Sequence, residues 1–289
     1  MKIPTKKLKN GFEIPVFGIG TWMMGGDKIR DPNNDDEADI KAIRTAIEMG
    51  ITHIDTAENY AEGWAEKIVG EAIKKYDRSK LFIVSKVDKS HLHYDDVRRA
   101  CKSSLERLGI NYLDLYLVHS PNLEIPLKGT MKAMDKLKNE GLVKNIGVSN
   151  FKKERLIEVS GYSKKKIVVN QVYYNLIIRE PERTSLLNYC QNSDVILTAY
   201  RPIDKGTLAK KGTKVLDELC KKYDKTPSQI AINWLISQKN VVTISKMRNK
   251  KHIIENLGAL GWQMEEEDVK KLRVEFPNQQ ERSDNLPLI

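Results

Sequence analysis

Short apolar runs alternate along this chain with longer stretches in which apolar residues recur at helical spacing. The runs fall at 16–20, 53–55, 81–86, 113–119, 143–149, 168–171, 195–200 and 241–245. They are short and mostly apolar, as strands buried on both faces are. Helical stretches separate them, among others at 36–49, 65–75, 94–108 and 128–140. In the first, Ala38, Ala42, Ile43, Ala46, Ile47 and Met49 illustrate the spacing of a helix with one apolar face. Gly50, Gly109 and Gly141 follow helices, where a left-handed residue is expected. Eight strand–helix repeats without a break in composition predict an α/β fold, a closed (β/α)8 barrel, as a single domain over 1–289. Ahead of it, Asn10-Gly11 sits between two short alternating runs and predicts an N-terminal β-hairpin with a type I′ turn. At the other end, 265–276 reads as a helix and 277–289 as a short polar surface tail.

A doubly wound dinucleotide fold is the rival. Gly18-Ile19-Gly20 lacks the third glycine of that fingerprint, and no helix opens directly after it. No segment approaches an uninterrupted apolar run of about 20 residues, so no membrane span is expected. Residues 1–9 are too polar for a secretory leader. Cys101, Cys190 and Cys220 are far apart and odd in number, and read as reduced thiols of a cytoplasmic protein. The net charge of +10 admits nucleic acid or an anionic cofactor as partner. The lysines, however, are scattered in groups such as Lys74-Lys75, Lys210-Lys211 and Lys270-Lys271, mostly beside acids, which points to solvated helix faces and not to a nucleic-acid surface. His91-Leu92-His93 has no further ligand at a supporting spacing, so no metal is expected. The oligomeric state stays open, a monomer being the simpler expectation.

The chemistry gathers at strand ends. Asp55, Lys86 and His119 end three of the apolar runs, and Tyr60 follows the first closely. In a barrel the C-terminal strand ends converge on one mouth. A free phenol, with a pKa of about 10, is a weak acid near neutrality, and a neighbouring cation lowers it. Lys86 can supply that charge, Asp55 can hold Lys86, and His119 can bond a substrate oxygen or relay a proton. Singly, each has a plainer reading: a strand-end cap, a snorkelling surface lysine, a loop-bonded histidine.

With these residues in place, the chain resembles the aldo-keto reductase superfamily over nearly its whole length. The matching motifs are Phe17-Gly18-Ile19-Gly20-Thr21-Trp22, Asp55-Thr56-Ala57-Glu58-Asn59-Tyr60, Val84-Ser85-Lys86, and Leu105-Glu106-Arg107-Leu108-Gly109 leading to Asp114-Leu115-Tyr116-Leu117-Val118-His119. Further along come Gly141-Leu142-Val143-Lys144-Asn145-Ile146-Gly147-Val148-Ser149-Asn150-Phe151, Asn170-Gln171 and Glu255-Asn256. The resemblance implies a barrel that binds a nicotinamide cofactor, with Asp55, Tyr60, Lys86 and His119 as catalytic tetrad. It implies hydride transfer from NAD(P)H to an aldehyde or ketone, Tyr60 supplying the proton. Ser149, Asn150 and Gln171 then match the carboxamide contacts, and Tyr200 the aromatic stacked on the nicotinamide. Arg201-Pro202-Ile203 occupies a segment that usually runs Ser-Pro-Leu beside the pyrophosphate. Lys246 is kept where the family commonly binds a 2′-phosphate, while Met247 replaces Ser and His252 replaces Arg. Lys246 and Arg248 carry the expectation of NADPH over NADH. Thr21, Asp55, Glu255 and Asn256 complete the expected cofactor contacts. Trp22, Tyr60 and His119 are the expected substrate contacts.

The short tail is read as leaving an open pocket for small or polar carbonyls. Two other functions compete: a cofactor-binding regulatory or auxiliary protein with little turnover, and a Schiff-base lyase using Lys86. The lyase needs a lysine that spends time neutral, which Asp55 opposes.

Overall fold

The computed structural model describes residues 2–276 and 288–289, so most of the expected tail, 277–287, lies outside the described residues. An antiparallel hairpin of β1 (Thr5–Lys7) and β2 (Glu13–Pro15) precedes eight parallel strands. These are β3 (Phe17–Gly20), β4 (His53–Asp55), β5 (Phe82–Val87), β6 (Leu115–Val118), β7 (Ile146–Ser149), β8 (Ile167–Tyr173), β9 (Ile196–Tyr200) and β10 (Val241–Ser245). They close in chain order, β10 pairing with β3, so the predicted barrel forms. Around it run α1 (Asp36–Glu48), α2 (Trp64–Ile73), α3 (Tyr94–Leu108), α4 (Leu127–Asn139), α5 (Lys153–Tyr162), α6 (Glu180–Arg183), α7 (Leu186–Asn192), α8 (Lys214–Tyr223), α9 (Pro227–Ile236), α10 (Lys250–Leu257) and α11 (Glu266–Glu275). No described helix is long and apolar enough to cross a membrane.

Alternation along the strands decides what faces the axis. Ile54, Ile83, Tyr116 and Val118 pack outward into the large core beneath the helices. Val84, Leu115, Leu117, Val169, Ile196 and Val242 form a second cluster inside the barrel. Lys86 is two residues beyond Val84, and His119 two beyond Leu117, so both inherit the inward direction. His53 and Asp55 share the inward face of β4. Room for His53 comes from Gly18, where a Cβ would lie 2.6 Å from the imidazole Cγ.

The hairpin closes the barrel floor. Leu8, Phe12 and Ile14 are buried in the interior cluster. An isolated hairpin is marginal, whereas burying a Leu- or Phe-sized side chain contributes about 1.5–3 kcal/mol. The turn differs from the type I′ expectation. Gly11 N donates to Leu8 O (3.0 Å), Leu8 N to Phe12 O (2.8 Å), and Gly11 alone in this loop has a left-handed φ, 87°. That is a turn followed by a bulge at Gly11. Asn10 instead accepts from Phe12 N through its side chain (3.0 Å). The extra residue lets Leu8 and Phe12 both face the barrel.

Candidate active site

The open end of the barrel gathers the four predicted groups. Lys86 Nζ donates to Asp55 Oδ1 (2.5 Å), Thr56 O (2.8 Å) and Tyr60 Oη (3.3 Å). Lys86 is fully buried and Asp55 1% exposed, so the pair has left water. The second Asp55 oxygen accepts from Gln171 Nε2 (2.8 Å). Tyr60 is buried between two rings, its centroid 4.9 Å from Trp22 and 5.5 Å from His119, both edge-on. His119 N donates to Val87 O (2.9 Å), which fixes the histidine beside the end of β5. Its Nδ1 is buried with no partner among the described residues. Behind Lys86, Ser85 Oγ donates to Glu66, and Glu66 pairs with Arg107 at 2.6 Å. Sequence reasoning did not single out Glu66. Its signal was an acid inside an apolar helix turn, which surface charge also produces.

Burial works against the Lys86 ammonium, but Asp55 and Tyr60 outweigh it and its pKa ends above the ordinary lysine value. For Tyr60 burial is the largest effect and raises the phenol; Lys86 pulls it down without cancelling that rise, and Asp55 adds to it. The net direction reverses the expectation of a phenol acidified below its free value. Tyr60 therefore rests protonated, and Lys86 limits how far burial has raised it. His119 is pushed down to about 3 by burial and by Lys86, so it is a neutral imidazole. His53, beneath Asp55, is pushed down to about 4, burial again leading.

These two histidines make a stability prediction. Both folded pKa values lie below the unfolded value, so the unfolded chain binds protons that the folded chain refuses. Stability is full above about pH 6.5 and falls as pH drops towards the folded values. With both groups contributing, the slope is about 2.7 kcal/mol per pH unit near pH 5. Urea unfolding at pH 7.5, 6 and 5 measures it, and His53→Gln is expected to remove about half of the slope. An equal slope in His53→Gln contradicts the assignment.

The cofactor-side residues are unevenly disposed. Ser149, Gln171 and Tyr200, on β7, β8 and β9, come together with Asn150, which directly follows β7. Ser149 Oγ donates to Gln171 O (2.8 Å), Asn150 Nδ2 to His119 O (2.9 Å), and Tyr200 Oη to Asn150 Oδ1 (2.9 Å). This network holds the donors and acceptors that a carboxamide exchanges with. Arg201 has a left-handed φ of 57°, stacks its guanidinium 5.2 Å from the Tyr173 ring, and leaves Nη1 buried without a partner. That orphaned donor beside Pro202 and Ile203 suits an anion. At the start of α10, Asn249 accepts from His252 N (2.9 Å) as cap, and Lys250 and Lys251 open a first turn that holds no acid. Cations at that end oppose the helix dipole, and a phosphate would complement both.

Other expected contacts also have partners within the chain or lie exposed. Thr21 Oγ1 donates to Asp55 O (3.0 Å), Met247 is 1% exposed within the helical-layer core, and Asn256 Nδ2 reaches Ser245 Oγ (3.4 Å). Glu255 lends its backbone oxygen to Gln229 Nε2 (2.8 Å). His252 is exposed, its ring beside the Asn249 amide (3.2 Å). Arg248 is paired with Asp39. His91 lies 3.1 Å from Glu58, and no three His, Cys, Asp or Glu residues converge as metal ligands among the described residues.

The profile of the Aldo/keto reductase family matches residues 16–274. The chain belongs to that family. It is 35% identical to the glyoxal reductase of Bacillus subtilis (strain 168), the match covering 93% of this chain and 91% of the relative. A solved thermostable aldo-keto reductase, Tm1743, in complex with the inhibitor epalrestat, is 44% identical with a TM-score of 0.91 over 94% of this chain and 100% of that one. An aldo-keto reductase from Klebsiella pneumoniae, solved with NADPH, is 32% identical with a TM-score of 0.86 over 97% and 98% of the two chains. A barrel with four polar groups at one mouth is thus an aldo-keto reductase scaffold, and the regulatory alternative is not favoured.

Proposed function

We propose that this chain reduces small or polar aldehydes and ketones to alcohols with NADPH, as a single catalytic domain over 1–289. The observation that carries the reading is the buried Asp55–Lys86–Tyr60 chain of contacts, at 2.5 and 3.3 Å, with neutral His119 beside it. The bound nicotinamide supplies the hydride. Tyr60 donates its proton to the carbonyl oxygen as negative charge develops there. The phenolate left behind is stabilised by Lys86, in a site where water cannot screen the attraction. Asp55 keeps Lys86 charged and aimed, its other oxygen held by Gln171. His119, uncharged, orients the carbonyl oxygen by a hydrogen bond. Ser149, Asn150 and Gln171 would hold the carboxamide, Tyr200 the ring face, and Arg201 with the 202–203 turn the pyrophosphate. Lys246 and the α10 N-terminus would seat the 2′-phosphate, which is the basis for NADPH over NADH.

For the substrate, Trp22 forms one wall beside Tyr60. The rim near His119 is polar, Asn59 Nδ2 donating to Asp88 Oδ2 (2.6 Å). Both favour compact, polar carbonyls, as does similarity to proteins named glyoxal reductase and methylglyoxal reductase. All four tetrad residues come from one barrel, so a monomer suffices. The free cysteines Cys101, Cys190 and Cys220 suit a reducing, cytoplasmic setting. Steady-state NADPH oxidation with short aldehydes beside bulky steroid ketones is the test. Higher kcat/KM is expected for the short aldehydes, and a preference for the steroids overturns the substrate assignment.

A further inference from the structure

Asp39, on α1, is a buried carboxylate, 1% exposed, that the proposed chemistry does not use. It accepts from Gly25 N (3.2 Å) and Asn34 Nδ2 (2.8 Å). It also faces one edge of the Arg248 guanidinium: Nη2 donates to Oδ2 (3.1 Å), and Nε lies 2.7 Å from Oδ1 as a charge contact, Oδ1 itself accepting no hydrogen bond among the described residues. The same Nη2 donates to Asn34 Oδ1 (2.9 Å) and Met23 O (2.5 Å). The fork edge of an arginine is the part that binds a phosphate in two places at once. Here that edge is turned to a carboxylate that is itself 1% exposed, while the Arg248 side chain is 44% exposed and stays within reach of an arriving anion. Lys246, two residues earlier, makes no ion pair among the described residues. Its side chain is exposed, and its pKa is lowered, by partial burial first and by the like charge of Arg248 second, with Asp39 opposing both; an arriving anion relieves that state.

We propose that Asp39 competes with the cofactor's 2′-phosphate for Arg248, so that recognition of this phosphate falls on Lys246 and the α10 N-terminus while the pair is closed. The inference rests on the reading that the 2′-phosphate is seated at Lys246. In that case Asp39 sets the cofactor preference without touching the cofactor: removing its charge releases a second cation onto the phosphate. Asp39 is a positioning residue in this scheme, and its loss strengthens binding, which the loss of a merely structural contact would not do.

Calorimetric titration of the full chain with adenosine 2′,5′-bisphosphate and adenosine 5′-monophosphate isolates the 2′-phosphate, with no turnover in the readout. Lys246→Ala is expected to weaken the bisphosphate about tenfold and leave the monophosphate unchanged. Arg248→Ala is expected to change bisphosphate affinity by less than about threefold. Asp39→Asn is expected to tighten the bisphosphate about fivefold, and adding Arg248→Ala to it should remove the gain. Folded Asp39→Asn without that gain overturns the competition. So does a loss in Arg248→Ala as large as in Lys246→Ala, a comparison that decides the matter if Asp39→Asn does not fold. Unchanged discrimination in Lys246→Ala is a separate failure, because it removes the seat itself and the competition with it.

Discussion

Tyr60→Phe is expected to lower kcat for carbonyl reduction by about 10²–10⁴-fold, with cofactor binding retained. The substitution removes only the hydroxyl. The ring would still pack edge-on to Trp22 and His119, and the Lys86–Asp55 pair would stay closed at 2.5 Å. The loss should therefore fall on the step that needs a proton, and the KM for NADPH should barely move. No other group can take over the role. His119, with a pKa of about 3, is a neutral imidazole near neutrality whose remaining N–H can donate a hydrogen bond but is far too weak an acid to protonate the substrate, and Lys86 is held charged by Asp55. Steady-state kinetics of the purified variant checks this. Tyr60→Phe at full activity would remove Tyr60 from the mechanism.

Lys86→Met is expected to cost activity and stability together. Without the ammonium, Tyr60 loses the one neighbour at hydrogen-bond distance that offsets burial, so its pKa rises further and proton delivery slows by about 10²-fold or more. Asp55 would then be left 1% exposed with, among the described residues, only the Gln171 Nε2 side-chain donor on one oxygen. Breaking a buried pair by removing one partner typically costs about 3–5 kcal/mol. Replacing both, as Asp55→Asn with Lys86→Met, removes the stranded charge and is expected to recover part of that stability with no recovery of rate. Urea unfolding of the single and double variants, read beside their kcat, separates the two effects. A double variant no more stable than Lys86→Met contradicts the account of the pair.

What the sequence made legible follows from period. The inward positions of β4, β5 and β6 could be counted because alternation is strict over short strands, and that places Asp55, Lys86 and His119 at one mouth. Glycines after helices were equally legible: Gly50, Gly109 and Gly141 all have positive φ. The hairpin turn was not, since Asn10-Gly11 suits a type I′ turn locally while the floor of the barrel selects the bulged form that buries Leu8 and Phe12. Arg248 read as a ligand for phosphate because it stands beside Lys246. Its partner Asp39 lies about 200 residues earlier in sequence, on a helix where an acid in the first turn already has a local explanation. Met247 replaces a polar residue of the family pattern and fills core volume, a tertiary fact with no local signature. The sign of the Tyr60 shift depended on burial, which a list of neighbouring charges does not report.

On the mechanism proposed, this barrel turns over carbonyls and does not merely bind a nicotinamide cofactor. Stoichiometry with a short aldehyde tests it most directly: NADPH consumed and alcohol formed, both quantified in the same reaction. One alcohol for each NADPH oxidised is the predicted result. Saturable NADPH binding with no alcohol formed from any aldehyde of the panel would contradict it.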